Sequence, residues 1–184
     1  MASELRVDRI APLNGIATVS QNLGGNAGGG IIQVRHSNTN GLYFGSSETP
    51  VADWVATGYI GEITPTRNDS KIYILANPSV MVYQDSGNQS DGSVKIMRSI
   101  NGGAYTECSP ITIGTQIGNY DYGATGLITY GNYCITGFDE PNTIQTINYQ
   151  IYVKRITGTG IRIGYKLNAD IGSNGFITMM EVSG

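Results

Sequence analysis

His36 is the single histidine of this 184-residue chain, so a Ser-His-Asp or Cys-His hydrolytic site would have to be built on it. It ends an alternating segment beside Arg35, and no G-x-S-x-G elbow or comparable frame accompanies it. A solvent-facing or interface role is expected for it, and no catalytic residue is assigned. One histidine and the two distant cysteines, Cys108 and Cys134, do not make a structural zinc site within one subunit. The most calcium-like stretch is 85–92, DSGNQSDG, where Asp85, Asn88 and Asp91 offer two carboxylates and an amide. It lacks the D-x-D-x-D-G order and the closing bidentate glutamate. A hairpin loop shaped by Asp, Asn and Gly is the plainer expectation there. Asp139 and Glu140 are adjacent, so in a strand they point to opposite faces and form no paired-carboxylate acid/base site. Gly24 to Gly30 is glycine-rich but has no lysine and no following helix, so it is not a phosphate loop. No cofactor is expected.

Tyr120, Tyr122, Tyr130 and Tyr133 cluster among glycines in NYDYGATGLITYGNY. A tyrosine offers a flat apolar face with a polar tip, suited to stacking on glycan or to protein interfaces. Half-buried strand positions or an oligomer axis explain the same cluster equally well.

The elements that must position these residues are strands. The stretch Trp54 to Leu75 reads as strand, tight turn, strand. Val55, Ile60 and Ile63 lead to Thr64-Pro65, where proline removes a ladder donor. Asn68-Asp69-Ser70 turns the chain, and Ile72 and Ile74 then face one way with Lys71 and Tyr73 the other. This hairpin is the stretch around which the chain is organised. Ile32 and Val34 are expected to point inward in an earlier strand, and Val94 and Ile96 to share a face in a later one. The clearest alternation is Thr146 to Lys154, with Ile147, Tyr149, Ile151 and Val153 on one side. Gly158-Thr159-Gly160 turns it into Ile161, Ile163 and Tyr165, and Phe176 to Val182 closes the chain. No window carries a helical apolar stripe. Roughly eight to ten short strands with frequent turn signals predict an all-β, single antiparallel jelly-roll sandwich.

Composition agrees. Hydrophobic residues make up 40% and charged residues 14%, the latter well below the usual ~25%. Glycine (26) and tyrosine (12) are abundant, which favours strands and tight turns over helices. A net charge of −3 offers no footprint for nucleic acid or anionic membrane. The charged start, MASELRVDRI, is no secretory h-region, and no run approaches the ~18 apolar residues of a span. Synthesis in a cytoplasm, without membrane insertion, is expected. Two buried, reduced thiols are expected at Cys108 and Cys134 in preference to a disulfide.

Residues 1–29 differ from the rest. Leu5, Val7 and Ile10 alternate with Arg6, Asp8 and Arg9 before the glycine-rich hinge. Such an arm buries too little to be stable alone and reaches on the order of 90 Å when extended. It is expected to dock on a partner, with 30–184 as the folded domain.

The runs Asp53-Trp54-Val55, Gly58, Ile63-Thr64-Pro65 and Ser70-Lys71-Ile72 resemble a signature of structural proteins of tailed bacteriophages, cyanophages among them. Phe138 to Thr143 followed by Ile147 to Gln150 is similar to its second signature, and Ile177 to Val182 to its closing strand. Leu5-Arg6-Val7-Asp8 with Gly15, and Gly29 to Val34, resemble how such chains begin. The resemblance implies a jelly roll of C1q/TNF-like shape, assembled as a homotrimer on a virion after synthesis in the host cytoplasm. Such proteins attach through their N-terminal arm as capsid decoration (cement) proteins, head fibres or fibre knobs. The partners implied are the chain itself and a major capsid protein or other virion protein. Without shaft repeats, the chain fits a short decoration protein or fibre tip. The competing expectations are a receptor-binding knob whose tyrosines adsorb host surface glycan and, less favoured, a glycan-active enzyme on the same scaffold.

Overall fold

The computed structural model describes residues 30–38, 44–46, 53–84, 89–120, 126–164 and 175–184. Among them run thirteen strands: β1 (Ile31–Asn38), β2 (Phe44–Ser46), β3 (Val55–Ile63), β4 (Lys71–Ala76), β5 (Ser79–Gln84), β6 (Gln89–Ile100), β7 (Thr106–Glu107), β8 (Ile113–Tyr120), β9 (Leu127–Asn132), β10 (Ile135–Asp139), β11 (Ile147–Thr157), β12 (Gly160–Ile163) and β13 (Phe176–Val182). Every pairing is antiparallel, and the sheet orders are β1-β13-β4-β10, β3-β11-β6 with β7 and β8 both on β6, and β2-β12-β5-β9.

The pairings follow one rule. β1 pairs β13, β2 pairs β12, β3 pairs β11, β4 pairs β10, β5 pairs β9 and β6 pairs β8. The chain is thus a single long hairpin with its reversal between β6 and β8. Rolling that hairpin up adds the contacts β13 on β4, β11 on β6 and β12 on β5. A rolled antiparallel hairpin in facing sheets is a jelly roll. The third sheet extends the first: β4 continues into β5 past Asn77-Pro78, and β9 into β10 past Tyr133-Cys134.

β-Branched residues fill the space between the sheets. Ile147, Tyr149, Ile151 and Val153 of β11 are all enclosed, as the alternation predicted, and Ile72, Ile74, Val94, Ile96, Ile161, Ile163 and Ile177 pack with them. Full burial of each such side chain contributes about 1.5–3 kcal/mol. The turn expected at Gly158 is present, with positive φ there (87°), and the chain also turns after β6 with positive φ at Asn101 (50°) and Gly102 (71°).

The structure corrects three expectations. Trp54 to Leu75 is no hairpin, because β3 and β4 lie in opposite sheets and the turn between them is a crossover. Glu181 of β13 holds that crossover, its carboxylate accepting from Thr66 N (2.7 Å), Thr66 Oγ1 (2.9 Å), Arg67 N (3.3 Å), Ser70 Oγ (2.7 Å) and Gln33 Nε2 (2.6 Å). Ile60 faces out while Tyr59 and Ile63 face in. Val34 is exposed on β1, not inward. The loop expected through residue 92 ends earlier, since β6 already begins at Gln89.

Candidate functional site

Two features of the outer surfaces combine chemistry with a definite placement. On the solvent side of the sheet β1-β13-β4-β10, the registers set Val34 opposite Met180, Met180 opposite Tyr73, and Tyr73 opposite Phe138. These four residues make one apolar row across all four strands. Val34 and Tyr73 are 53% and 46% exposed, and the Tyr73 and Phe138 rings lie 5.9 Å apart. Tyr73, Leu75, Thr136, Phe138 and Met180 line a shallow groove there. At its margin Lys71 bonds Glu140 at 3.0 Å and lies over the Phe138 ring. His36 sits one row away with Nδ1 2.9 Å from Thr178 Oγ1 and its ring against Phe176. That is an edge-strand surface position.

The second feature is a cleft over β6 and β8 of about 300 Å³, lined by Trp54, Ser93, Val94, Lys95, Glu107, Thr112, Gly114 and Thr115. Lys95 points outward from β6 between the inward Val94 and Ile96, yet its side chain is only 8% exposed. The Trp54 ring covers its ammonium group, 4.3 Å from the ring centre, a favourable cation–π arrangement. Lys95 Nζ donates to Glu107 Oε1 at 2.8 Å, and Thr112 Oγ1 donates to Glu107 Oε2 at 2.7 Å. Those bonds, Lys95 first, hold the Glu107 carboxyl below its ordinary range. Gly114 pairs with Lys95 across the strands, and a Cβ there would meet Val94 O at 2.6 Å. A residue without a side chain therefore keeps that side of the cleft open. Tyr152, Lys95's other cross-strand partner, stacks obliquely with Tyr105 at 5.7 Å.

Between the sheets lies a third polar group. Asp139 is fully buried at the end of β10. It accepts from Arg98 Nη1 (2.5 Å), Ser109 N (2.8 Å) and Tyr149 OH (2.8 Å). Burial and the neighbouring Asp139 charge push the Tyr149 hydroxyl up, so it stays a hydrogen-bond donor. Burial, then Asp139, likewise pushes the Cys108 thiol up to about 12. Buried and bonded by three protein donors, Asp139 is a clasp between β10, β6 and β11. Glu140 points the other way, toward Lys71, as the sequence predicted.

The remaining sequence candidates are dispersed. Tyr120 and Tyr130 are exposed on β8 and β9, whereas Tyr133 is half-buried against the core. Asp91 lies in β6 and not in a loop, its Oδ2 accepting from Gln89 Nε2 (2.6 Å) and Thr157 Oγ1 (3.2 Å). Cys108 is buried, but Cys134 is exposed, which corrects the expectation of two buried thiols; both are free. Tyr122, Asp85, Asn88 and the arm residues Leu5 to Ile10 lie outside the described residues. Sequence reading missed Lys95, Glu107 and Thr112. An outward lysine in an alternating strand reads as solvated, and nothing in the spacing ties it to Trp54.

No protein-family model matches the chain, and no curated protein matches it. Solved structures that align with it include one of infectious bursal disease virus, Gx strain, at 13% identity and TM-score 0.34, covering 84% of this chain and 40% of that one. A T13 particle of the same virus aligns at 13% identity and TM-score 0.34, covering 84% and 38%. A marine algae virus of the order Picornavirales aligns at 12% identity and TM-score 0.22, covering 100% and 81%. The chain spans about 40% of the length of the first of these.

Proposed function

We propose that this protein is a non-enzymatic structural component of a bacteriophage virion. It assembles as a homotrimer through the outward face of β1-β13-β4-β10 and docks to the particle by residues 1–29. The observation that carries the reading is the apolar row Val34, Met180, Tyr73 and Phe138, running unbroken across a four-stranded sheet with a polar margin. Aromatic and methionine side chains gathered in an exposed patch with a polar rim are the composition of an interface core. Around a three-fold axis the row of one copy packs on a different surface of the next, a heterologous contact that closes into a ring. The count of three and the virion setting come from the sequence resemblance to tailed-phage structural proteins.

Gly30, the first described residue, accepts a hydrogen bond from Ser183 N at 3.1 Å beside β13. Three arms on one trimer bind by avidity, each raising the effective concentration of the others. The surface engaged is a major capsid protein or another virion protein. Light scattering on the full chain tests this: a mass near three times the 19.6 kDa chain mass is expected, and a monomer overturns the reading. Deleting residues 1–29 is expected to leave the trimer intact and abolish particle binding. The exposed Tyr120 and Tyr130 favour a second reading, a fibre knob adsorbing host glycan, in which purified trimer competes with phage adsorption.

A further inference from the structure

We infer that the Trp54–Lys95–Glu107 cleft is a binding site for a neutral saccharide, taking a single pyranose ring. Nothing in this inference needs the oligomer or the virion setting, so the two readings stand or fall separately.

The reasoning begins with charge. Lys95 is the cation and Glu107 the anion among the lining residues, and they are paired at 2.8 Å. A neutral cleft gives neither an anionic nor a cationic ligand an electrostatic advantage. It does present a donor and an acceptor side by side, a spacing that adjacent hydroxyls on a sugar ring match. The Lys95 ammonium has three N–H donors, and one of them goes to Glu107. Each Glu107 oxygen takes one protein donor, from Lys95 and Thr112, and keeps a further lone-pair direction. Such groups both donate to and accept from a hydroxylated ligand, and the bonds they make are charge-assisted.

Geometry supplies the rest. The Lys95 side chain is more than nine-tenths buried, and its ammonium is held by Trp54 and Glu107 at the cleft. A polar head so fixed loses little freedom on binding. Trp54 forms an aromatic wall, which suits the C–H face of a pyranose, while the Ser93 and Thr112 hydroxyls lie among the lining residues. The cleft volume of about 300 Å³ stands at the lower end of ligand pockets, the scale of a single ring.

Trp54 is the chain's single tryptophan, so its fluorescence reports this cleft and no other. Methyl pyranosides of glucose, mannose and galactose, N-acetylglucosamine, and the anionic N-acetylneuraminic acid would be titrated through the millimolar range against the full chain. At least one neutral sugar is expected to give a saturable change. Glu107 is half exposed, so Glu107→Ala is expected to stay folded by circular dichroism and to weaken that sugar about tenfold or more. Thr112→Val, which frees one Glu107 oxygen from its anchor, is expected to weaken it less. Three results overturn the inference: no neutral sugar saturates, the anionic sugar alone saturates, or Glu107→Ala binds as the parent chain does.

Discussion

Two buried carboxylates do opposite kinds of work from similar positions. Asp139 meets a full positive charge, and Arg98 keeps its proton more firmly for it, since the pairing outweighs the burial that would lower its pKa. Asp139→Asn leaves that guanidinium, 15% exposed, without its counter-charge, and a loss of about 3 kcal/mol is expected in urea unfolding. Tyr149→Phe removes one neutral donor and is expected to cost about 1 kcal/mol. Among the described residues, no side-chain cation donates to Glu181. Burial raises its pKa, but the bonds from Ser70, Gln33 and Thr66 outweigh it, and the group sits below its ordinary 4.5. A carboxyl depressed in the fold contributes stability that is complete above the unfolded value and is lost as pH falls through the folded one. Unfolding midpoints measured from neutral pH into the acid range are therefore expected to fall below about pH 4.5, and Glu181→Gln to flatten that fall.

At the scale of elements, close approach between strands and sheets decides which substitutions the fold accepts. A Cβ at Gly137 of β10 would stand 2.6 Å from Cγ1 and 3.0 Å from Cγ2 of Ile113, and a β-branched neighbour has little rotamer freedom to yield. At Gly61 of β3 the nearest atoms are the Cε and Sδ of Met179, at 2.8 and 2.9 Å, the far end of a flexible chain. Gly137→Ala is expected to cost about 2 kcal/mol and Gly61→Ala under about 1 kcal/mol, read as shifts in denaturation midpoint. The strands themselves were legible: Ile147 to Val153 alternates and is enclosed, and Ile72 and Ile74 are buried opposite Tyr73. Their partners were not. Trp54 to Leu75 reads as a hairpin because a proline and an Asx turn separate two strands. The donors of that turn are instead taken by Glu181, and β4 pairs with β13 and β10.

For the whole molecule, the rolled hairpin leaves one sheet face whose apolar row has no covering layer among the described residues. Val34 was expected inward because an apolar residue in an alternating strand ordinarily faces the core. Its outward place, in register with Met180, Tyr73 and Phe138, is accounted for if the row is buried against another copy. A charge at the centre of the row puts that to the test. Tyr73→Glu is expected to yield a folded monomer in place of the proposed trimer, since Tyr73 packs outside the core. A trimer that survives Tyr73→Glu would move the interface elsewhere on the fold.

The sequence by itself determined the class of structure: period-two alternation, scarce charge and turn residues at short intervals leave the backbone no regular option but antiparallel strands. It also determined which residues the core would take from β4, β6 and β11, because a strand's faces follow from local spacing alone. Tertiary structure decided everything that depends on register between distant segments. It set Asp139 against Arg98 and Tyr149, Glu181 against the β3–β4 crossover, Lys95 beneath Trp54 and beside Glu107, and Val34 in line with Phe138. Such pairs are joined by strand pairing over tens of residues, and a one-residue slip would turn each of those side chains to the opposite face. Local pattern carries no record of that register, whereas the rolled hairpin specifies it at every rung.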